Sequence, residues 1–347
     1  MYKKIFMGIA AAAALTLVSC SSDDLNSLSD NSSKNEAISF DGYLGRSAVS
    51  VNGSRGSVLE IDDLKTSTDG FGVFGNYKEA DGLEFGSNWF KNVKVTYSSK
   101  DTKWTYSPVR YWLPQGHIDF LAYAPRVEGK TLTNTSIDFT VEGDVAKQKD
   151  LLWANAKGQT KQTISNTENK VNFKFAHALS RLGYTVKLKE PYSDATITLN
   201  KITLAGSEDG TTKTAFYKKG TIDLSYTSSS TASLWNTSSF DKQNFTWFSG
   251  NQKLTDKVDN NTEYLFVIPQ DFSATATDKL YVIVEYTIQN NGVTETMKNT
   301  VRQQIKMNFL QGKAYTINLT IGLTPIEFDA DVTPWGNGDN EDINSWN

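Results

Sequence analysis

Apolar and polar residues alternate with a period of two over long parts of this chain. Val171, Phe173 and Phe175 are apolar, whereas Asn172 and Lys174 between them are polar. Five further stretches alternate in the same way: Tyr184–Leu188, Ala195–Leu204, Tyr264–Ile268, Leu280–Ile288 and Ala314–Ile321. Because successive side chains of a strand point to opposite faces, this pattern predicts half-buried β-strands. Turn residues separate the stretches and no segment keeps a helical period, so we expect an all-β fold.

Short strands with turn residues between them favour packed β-sandwiches over a doubly wound sheet. The run 189–193 interrupts the alternation, and we place a domain boundary between Lys189 and Glu190. The predicted parts are an N-terminal sandwich at 47–189, a C-terminal sandwich at 190–325, and a strand and tail at 326–347. The Ser- and Thr-rich stretch 226–239 predicts an exposed loop.

The N-terminus has the pattern of a bacterial lipoprotein signal. Lys3 and Lys4 precede an apolar stretch that ends in Leu17-Val18-Ser19-Cys20, the form of a lipobox. Cleavage of residues 1–19 would leave the Cys20 thiol to receive the diacylglyceryl group. Cys20 is the only cysteine, so no disulfide can form within the chain. The alternative is an ordinary signal peptide that contains a cysteine by chance.

The mature chain would be acidic and tethered. Residues 20–36 are rich in Ser, Asn and Asp, which predicts a flexible tether, and the acidic residues after Cys20 resemble a surface-export signal of Gram-negative lipoproteins. We therefore expect an outer-membrane lipoprotein exposed at the cell surface. Loss of Lys3 and Lys4 with the signal changes the formal net charge from −4 to −6, which does not fit a nucleic-acid-binding protein.

Candidate catalytic and metal-binding residues are few. The two histidines are His117, in a predicted turn, and His177, directly after a predicted strand. They have neither cysteine partners nor a His-x-x-x-His spacing, so we expect structural or loop roles. Ser180 is close to His177 in sequence, but a catalytic nucleophile needs a base that a third group orients in space. We therefore predict no enzyme activity, no cofactor and no metal.

Aromatic residues cluster in the first half of the chain. The cluster consists of Trp104, Tyr106, Tyr111, Trp112, Phe120, Tyr123 and Trp153. We expect Trp112 and Phe120 to fill a sandwich core, since such rings bury roughly 150–250 Å² each. The alternative is a carbohydrate-binding platform of exposed aromatic side chains.

Several segments follow one another with a specific order and spacing. They are Trp104–Pro114, Ile118–Pro125, Lys149–Ala154, Val171–Ser180 and Phe309–Ile317, with Trp335-Gly336 near the end. Together they resemble the fimbrillin-like family of type V pilus subunits over nearly the whole mature chain. The resemblance implies two transthyretin-like β-sandwich domains in tandem.

The resemblance also implies export, cleavage and assembly. Members of this family are exported as lipoproteins and cleaved after an arginine near the N-terminus, which removes a first β-strand. The groove left behind accepts a strand from a neighbouring subunit by β-strand addition. The expected partners are other fimbrial subunits, outer-membrane lipid, a trypsin-like maturation protease and a host or bacterial receptor.

The two ends of the mature chain carry the same apolar pattern. Residues 38–44 and 326–332 both read Ile-x-Phe-Asp-small-x-aliphatic. The inward-facing sets would be Ile38, Phe40, Gly42 and Leu44 in the first strand, and Ile326, Phe328, Ala330 and Val332 in the second. Because the two sets share one period, either strand could fill the same groove. We predict that 37–46 is removed and that the C-terminal strand is the donor; the alternative is that 326–332 is the last strand of its own domain.

The predicted cleavage site is Arg46-Ser47, directly after the first strand, and Arg55-Gly56 is the second candidate. Small residues flank both arginines in a Ser- and Gly-rich loop that a trypsin-like protease could enter. The alternative is a loop arginine that is never cut. The sequence leaves three functions open: a stalk or anchor subunit, a tip adhesin, and a monomeric surface lipoprotein that binds glycan.

Overall fold

The described part of the chain is almost entirely β-structure, which confirms the all-β prediction. The computed structural model describes residues 37–44, 59–78, 84–164, 169–228, 233–237, 241–260, 263–322 and 327–335. Within these ranges the helical segments are α1 (Ile61–Thr66) and a 3₁₀ turn (Val145–Lys147). Neither is long and apolar enough to cross a lipid bilayer.

The strands have the following bounds. Those before residue 178 are β1 (Phe40–Leu44), β2 (Phe71–Lys78), β3 (Glu84–Ser98), β4 (Lys103–Thr105), β5 (His117–Ala124), β6 (Ser136–Thr140), β7 (Leu152–Gln159) and β8 (Val171–His177). Those after it are β9 (Ser180–Leu188), β10 (Ala195–Ala205), β11 (Phe216–Tyr217), β12 (Lys219–Asp223), β13 (Trp235–Asn236), β14 (Lys242–Gln243), β15 (Phe245–Lys253), β16 (Asp259–Asn260), β17 (Leu265–Val267), β18 (Gln270–Asp271), β19 (Leu280–Asn290), β20 (Met297–Ile305), β21 (Asn308–Phe309), β22 (Lys313–Ile321) and β23 (Glu327–Pro334). All six stretches of alternating sequence are confirmed as strands.

A seven-stranded sheet organises the first half in the order β1-β8-β7-β5-β2-β3-β4. β1 is the edge strand and runs parallel to β8, whereas the other neighbours are antiparallel. Its apolar side chains build a cluster around Phe40, Phe71, Phe90, Phe120 and Phe173, here called the N-terminal core.

Two sheets dominate the second half. One has the order β16-β9-β22-β23 with β17 also on β9, and the other has the order β15-β10-β19-β20. Their inward residues, such as Leu182, Leu199, Val282 and Ile317, belong to one cluster, here called the C-terminal core. Phe74 of the seven-stranded sheet also belongs to it.

Sheet membership changes before the boundary predicted between residues 189 and 190. β9 precedes that boundary, yet it pairs with β17 and β22 of the second half. In addition, β6 pairs with β12, and the side-chain oxygen of Gln148 accepts the Phe266 N–H at 2.7 Å. Residues 36–347 form one compact unit, and the division into two sandwiches stays a prediction.

The prediction of an exposed loop at 226–239 is wrong at Leu234 and Trp235. Leu234 is 5% exposed, Trp235 begins β13, and its indole N–H donates to the Ala178 carbonyl at 2.8 Å. A Ser- and Thr-rich composition signals a loop, but a distant part of the chain supplies the partners that order these two residues.

Candidate strand-exchange site

β1 lies in a slot between the segment around Arg110 and strand β8. On one side the Ile38 N–H donates to the Arg110 carbonyl at 2.8 Å, and on the other the Ser39 carbonyl accepts the Val171 N–H at 2.8 Å. The strand then follows β8 in register from Phe40 opposite Val171 to Leu44 opposite Phe175. The first strand is thus held by main-chain hydrogen bonds that another extended segment could also make.

Phe40 is the central side chain of the slot. It is 2% exposed, and its ring centroid lies 5.2–5.6 Å from those of four neighbours. These neighbours are Phe90, Tyr106, Phe120 and Phe173. Contacts of this kind add to the free energy that burial alone supplies, so Phe40 ties β1 to the core.

The other residues of β1 alternate as the period of two requires. Ile38 is 1% exposed, Gly42 is buried, and Leu44 is half-buried against the N-terminal core. Tyr43 points outward and is 50% exposed. The residues predicted to face inward therefore do so, whereas removal of the strand stays a prediction.

Tyr106 fastens the start of β1 through its hydroxyl. The hydroxyl donates to the Ile38 carbonyl at 2.7 Å and accepts the Arg110 N–H at 3.2 Å. Burial raises the pKa of Tyr106 from 10.0 to about 12, against the smaller opposing effect of the Arg110 backbone hydrogen bond.

β23 lies at the edge of its own sheet, antiparallel to β22. Ala330 is 8% exposed, and Phe328 and Val332 are half-buried against the C-terminal core. The arrangement is the alternative that the sequence left open, a last strand within its own sheet. Its use as a donor stays a prediction.

The likeness between β1 and β23 extends to a local hydrogen bond. In β1 the Asp41 carboxylate accepts the N–H of Gly42 at 2.8 Å, and in β23 the Asp329 carboxylate accepts the N–H of Ala330 at 2.8 Å. The shared Phe-Asp-small sequence therefore makes the same local hydrogen bond in two different sheets.

One methyl group distinguishes the two strands at their small residue. A Cβ added to Gly42 would lie 3.2 Å from Cε2 of Phe175, so this ring must move by a few tenths of an ångström if alanine replaces the glycine. A strand with the Ala330 side chain would therefore meet the Phe175 ring at this point of the slot.

Four of the predicted site residues lie outside the described residues: Cys20, Arg46, Arg55 and Ile326. Both candidate cleavage sites fall between Leu44, where β1 ends, and Leu59, where the described chain resumes.

The aromatic cluster is largely core. Trp104, Trp112, Phe120 and Tyr123 are at most 6% exposed, and Tyr111 is 46% exposed. Among the described residues no group of three His, Cys, Asp or Glu side chains has a metal-binding arrangement.

Sequence reasoning missed the partners of His177. In the structure its Nδ1 lies 2.7 Å from the Asp150 carboxylate, and its ring stacks on Trp335 at a centroid distance of 3.9 Å. Asp150, His177 and Trp335 are far apart in sequence and match no known motif spacing. The only sequence signal was the presence of an Asp, a His and a Trp close to the ends of predicted strands.

The comparison with protein families decides what kind of protein this is. The sequence profile described as fimbrillin-like matches residues 59–335. The chain belongs to the fimbrillin-like family. Membership places it among fimbrial or adhesion subunits of cell-surface fimbriae, which is not an enzyme family.

Solved structures similar to this fimbrillin-like protein are distant in sequence. A protein of Bacteroides uniformis described as a cell adhesion protein is 17% identical, with a TM-score of 0.49 over 86% of this chain and 98% of that chain. The counterpart from Bacteroides ovatus is 13% identical, with a TM-score of 0.48 over 88% and 100%. The tip fimbrial protein Mfa3 from Porphyromonas gingivalis, with a C-terminal truncation, is 10% identical, with a TM-score of 0.38 over 79% and 96%. No curated protein matches.

We predict that Phe40→Ala destabilises the uncut protein by about 3–5 kcal/mol, because it empties the centre of an aromatic cluster. Urea unfolding of residues 21–347 measures the loss. Tyr43→Ala, on the exposed face of the same strand, is the matched control and should change the free energy of unfolding by less than about 0.5 kcal/mol. Equal losses in both variants would contradict the inward orientation of Phe40.

We predict that Tyr106 contributes to alkaline unfolding. Because its pKa is raised on folding, its contribution is intact below pH 10, its unfolded value, and is lost as pH rises towards 12. Tyr106→Phe should therefore give a shallower fall of the unfolding free energy between these pH values. Urea unfolding across this range tests it, with Tyr111→Phe as the exposed control; identical slopes for Tyr106→Phe and the parent protein would refute the idea.

Proposed function

We propose that this protein is a fimbrial subunit that is exported as a lipoprotein through Cys20 and assembles by donor-strand exchange. Cleavage after Arg46, or alternatively after Arg55, releases β1 and the tether that precedes it. The β8 edge then accepts a strand from a neighbouring subunit, and β23 with its preceding residue Ile326 serves as the donor. The mature subunit leaves the outer membrane for the fimbrium and supports adhesion.

The fit of β1 in its slot carries this proposal. An edge strand that fills a deep aromatic pocket leaves a matching groove when it departs, and the exposed β8 edge must be covered again. At about 1.5–3 kcal/mol per large buried side chain, three anchors of a replacement strand give enough burial to hold subunits together once ordering costs are met.

The donor role of β23 is supported by the shared apolar pattern and by the shared hydrogen bond of the Phe-Asp-small segment. β23 is also an edge strand whose large side chains Phe328 and Val332 are only half-buried, so it gives up less burial on leaving than β1 does. For these two side chains, the exchange therefore replaces half-burial by a deeper pocket.

Cleavage by a trypsin-like protease between Leu44 and Leu59 is the step that starts assembly. Without it, β1 competes for the slot as part of the same chain, at a high effective concentration that a second molecule cannot match. The uncut first strand thus keeps the subunit monomeric during export.

We predict that the double variant Arg46→Ala, Arg55→Ala stays monomeric after native trypsin treatment of residues 21–347. The parent protein should lose its N-terminal segment and form heat-stable polymers, seen as a ladder in SDS gels. Arg302→Ala, an exposed arginine on β20, is the matched control and should polymerise like the parent.

Two outcomes contradict parts of this proposal. Polymers formed by the double variant would show that cleavage at these arginines is not required. Cleavage of the parent without polymers would remove the donor role of β23 and favour a tip or accessory subunit that only accepts a strand. Deletion of residues 326–347 should abolish polymers while leaving cleavage unchanged.

A further inference from the structure

We propose that Asp150, His177 and Trp335 form a latch that holds β23 in its own sheet, and that Leu59 ties this latch to the cleaved segment. The proposal rests on the proposed function, because it explains how a cut near the N-terminus frees a strand at the C-terminal end. It assigns positioning roles to residues outside β1 and outside the two candidate cleavage sites.

Trp335 is the main anchor of the C-terminal strand. Directly after β23, it is 5% exposed, whereas Phe328 and Val332 within the strand are half-buried. Its ring stacks on His177 at 3.9 Å with an interplanar angle of 15°, and on Phe266 at 5.5 Å with an angle of 23°. The main-chain N–H of Trp335 donates to the Gly312 carbonyl at 2.9 Å.

His177 is held in this stack by Asp150. The His177 side chain is 1% exposed and Asp150 is fully buried. Nδ1 donates to the carboxylate at 2.7 Å, and Nε2 has no hydrogen-bond partner among the described residues. The orientation of the ring under Trp335 therefore depends on one hydrogen bond.

The Asp150 carboxylate connects the latch to the cleaved segment. Besides His177, it accepts the N–H of Leu151 at 2.8 Å and the N–H of Leu59 at 3.2 Å. Leu59 follows the stretch with both candidate cleavage sites, and its side chain packs against the N-terminal core, as does Leu44 of β1.

Departure of β1 changes this arrangement. It removes Ile38 and Phe40 from the N-terminal core and so loosens Leu59, which packs on the same core. A fully buried carboxylate that loses a donor is strongly disfavoured, and Asp150 is fully buried. The Asp150–His177 pair shifts, the stack under Trp335 weakens, and β23 leaves its sheet more readily.

Hydrogen exchange of the amides of β23, in uncut residues 21–347, tests the latch without any protease. Trp335→Ala should speed exchange of these amides about 3- to 10-fold, the range that loss of an aromatic stack implies, while Trp335→Phe should restore most of the protection. Exchange in β10 and β19, in the same core, should not change. Equal acceleration in all three strands would overturn the latch, because it would indicate general destabilisation.

The link to the N-terminus is tested by a matched pair at Leu59. Leu59→Pro removes the N–H that Asp150 accepts, whereas Leu59→Ala removes side-chain packing and keeps the N–H. We expect faster exchange in β23 for Leu59→Pro than for Leu59→Ala; equal exchange in the two variants refutes the link. If Leu59→Pro does not fold, Asp150→Asn tests the carboxylate that joins Leu59 to His177, with Asp144→Asn as the exposed control in the same region. Unchanged exchange in β23 for Asp150→Asn refutes the link.

The experiments distinguish failure of the latch from failure of the proposed strand exchange. Polymers that form after cleavage, with exchange in β23 insensitive to these variants, sink the latch and leave strand exchange standing. Faster exchange in the variants without any polymer after cleavage supports the latch and removes the donor role.

Discussion

The burial of Phe40 among the rings of Phe90, Tyr106, Phe120 and Phe173 is the contact on which the N-terminal half depends. It closes the N-terminal core at the β8 edge. The strand that carries it, β1, is short and lies at the edge of the sheet, where it pairs with β8. Large aromatic side chains suit this role, because a single ring supplies much of the buried area. Under the proposed function, a strand anchored mainly through one such residue is replaced by another with the same anchor.

Edge strands expose unpaired main-chain groups, and this chain protects its two relevant edges differently. β1 has a buried inner face and the half-exposed Tyr43 on the outer one. β23 carries the exposed carboxylates of Glu327, Asp329 and Asp331 on its outer face, where charge discourages pairing with the wrong chain. These features protect both edges from uncontrolled aggregation.

Buried polar residues join the two cores. Gln148 donates to the Glu142 carbonyl and accepts the Phe266 N–H, and Asp150 lies beside it in sequence with His177 as its partner. Such groups must keep their hydrogen bonds, because an unpaired one is costly inside a protein. They therefore make the contact between the halves specific.

Much of this fold followed from the sequence alone, since the period of two reports directly which side of a strand is buried. It located the strands, gave Ile38, Phe40 and Leu44 their inward orientation, and revealed the likeness of β1 to the C-terminal strand. Only the tertiary structure showed that β9 joins the second half, that Leu234 is buried, and that Asp150, His177 and Trp335 meet. Strand pairing and buried side-chain contacts join residues far apart in the chain, and a local pattern carries no information about which distant partner completes them.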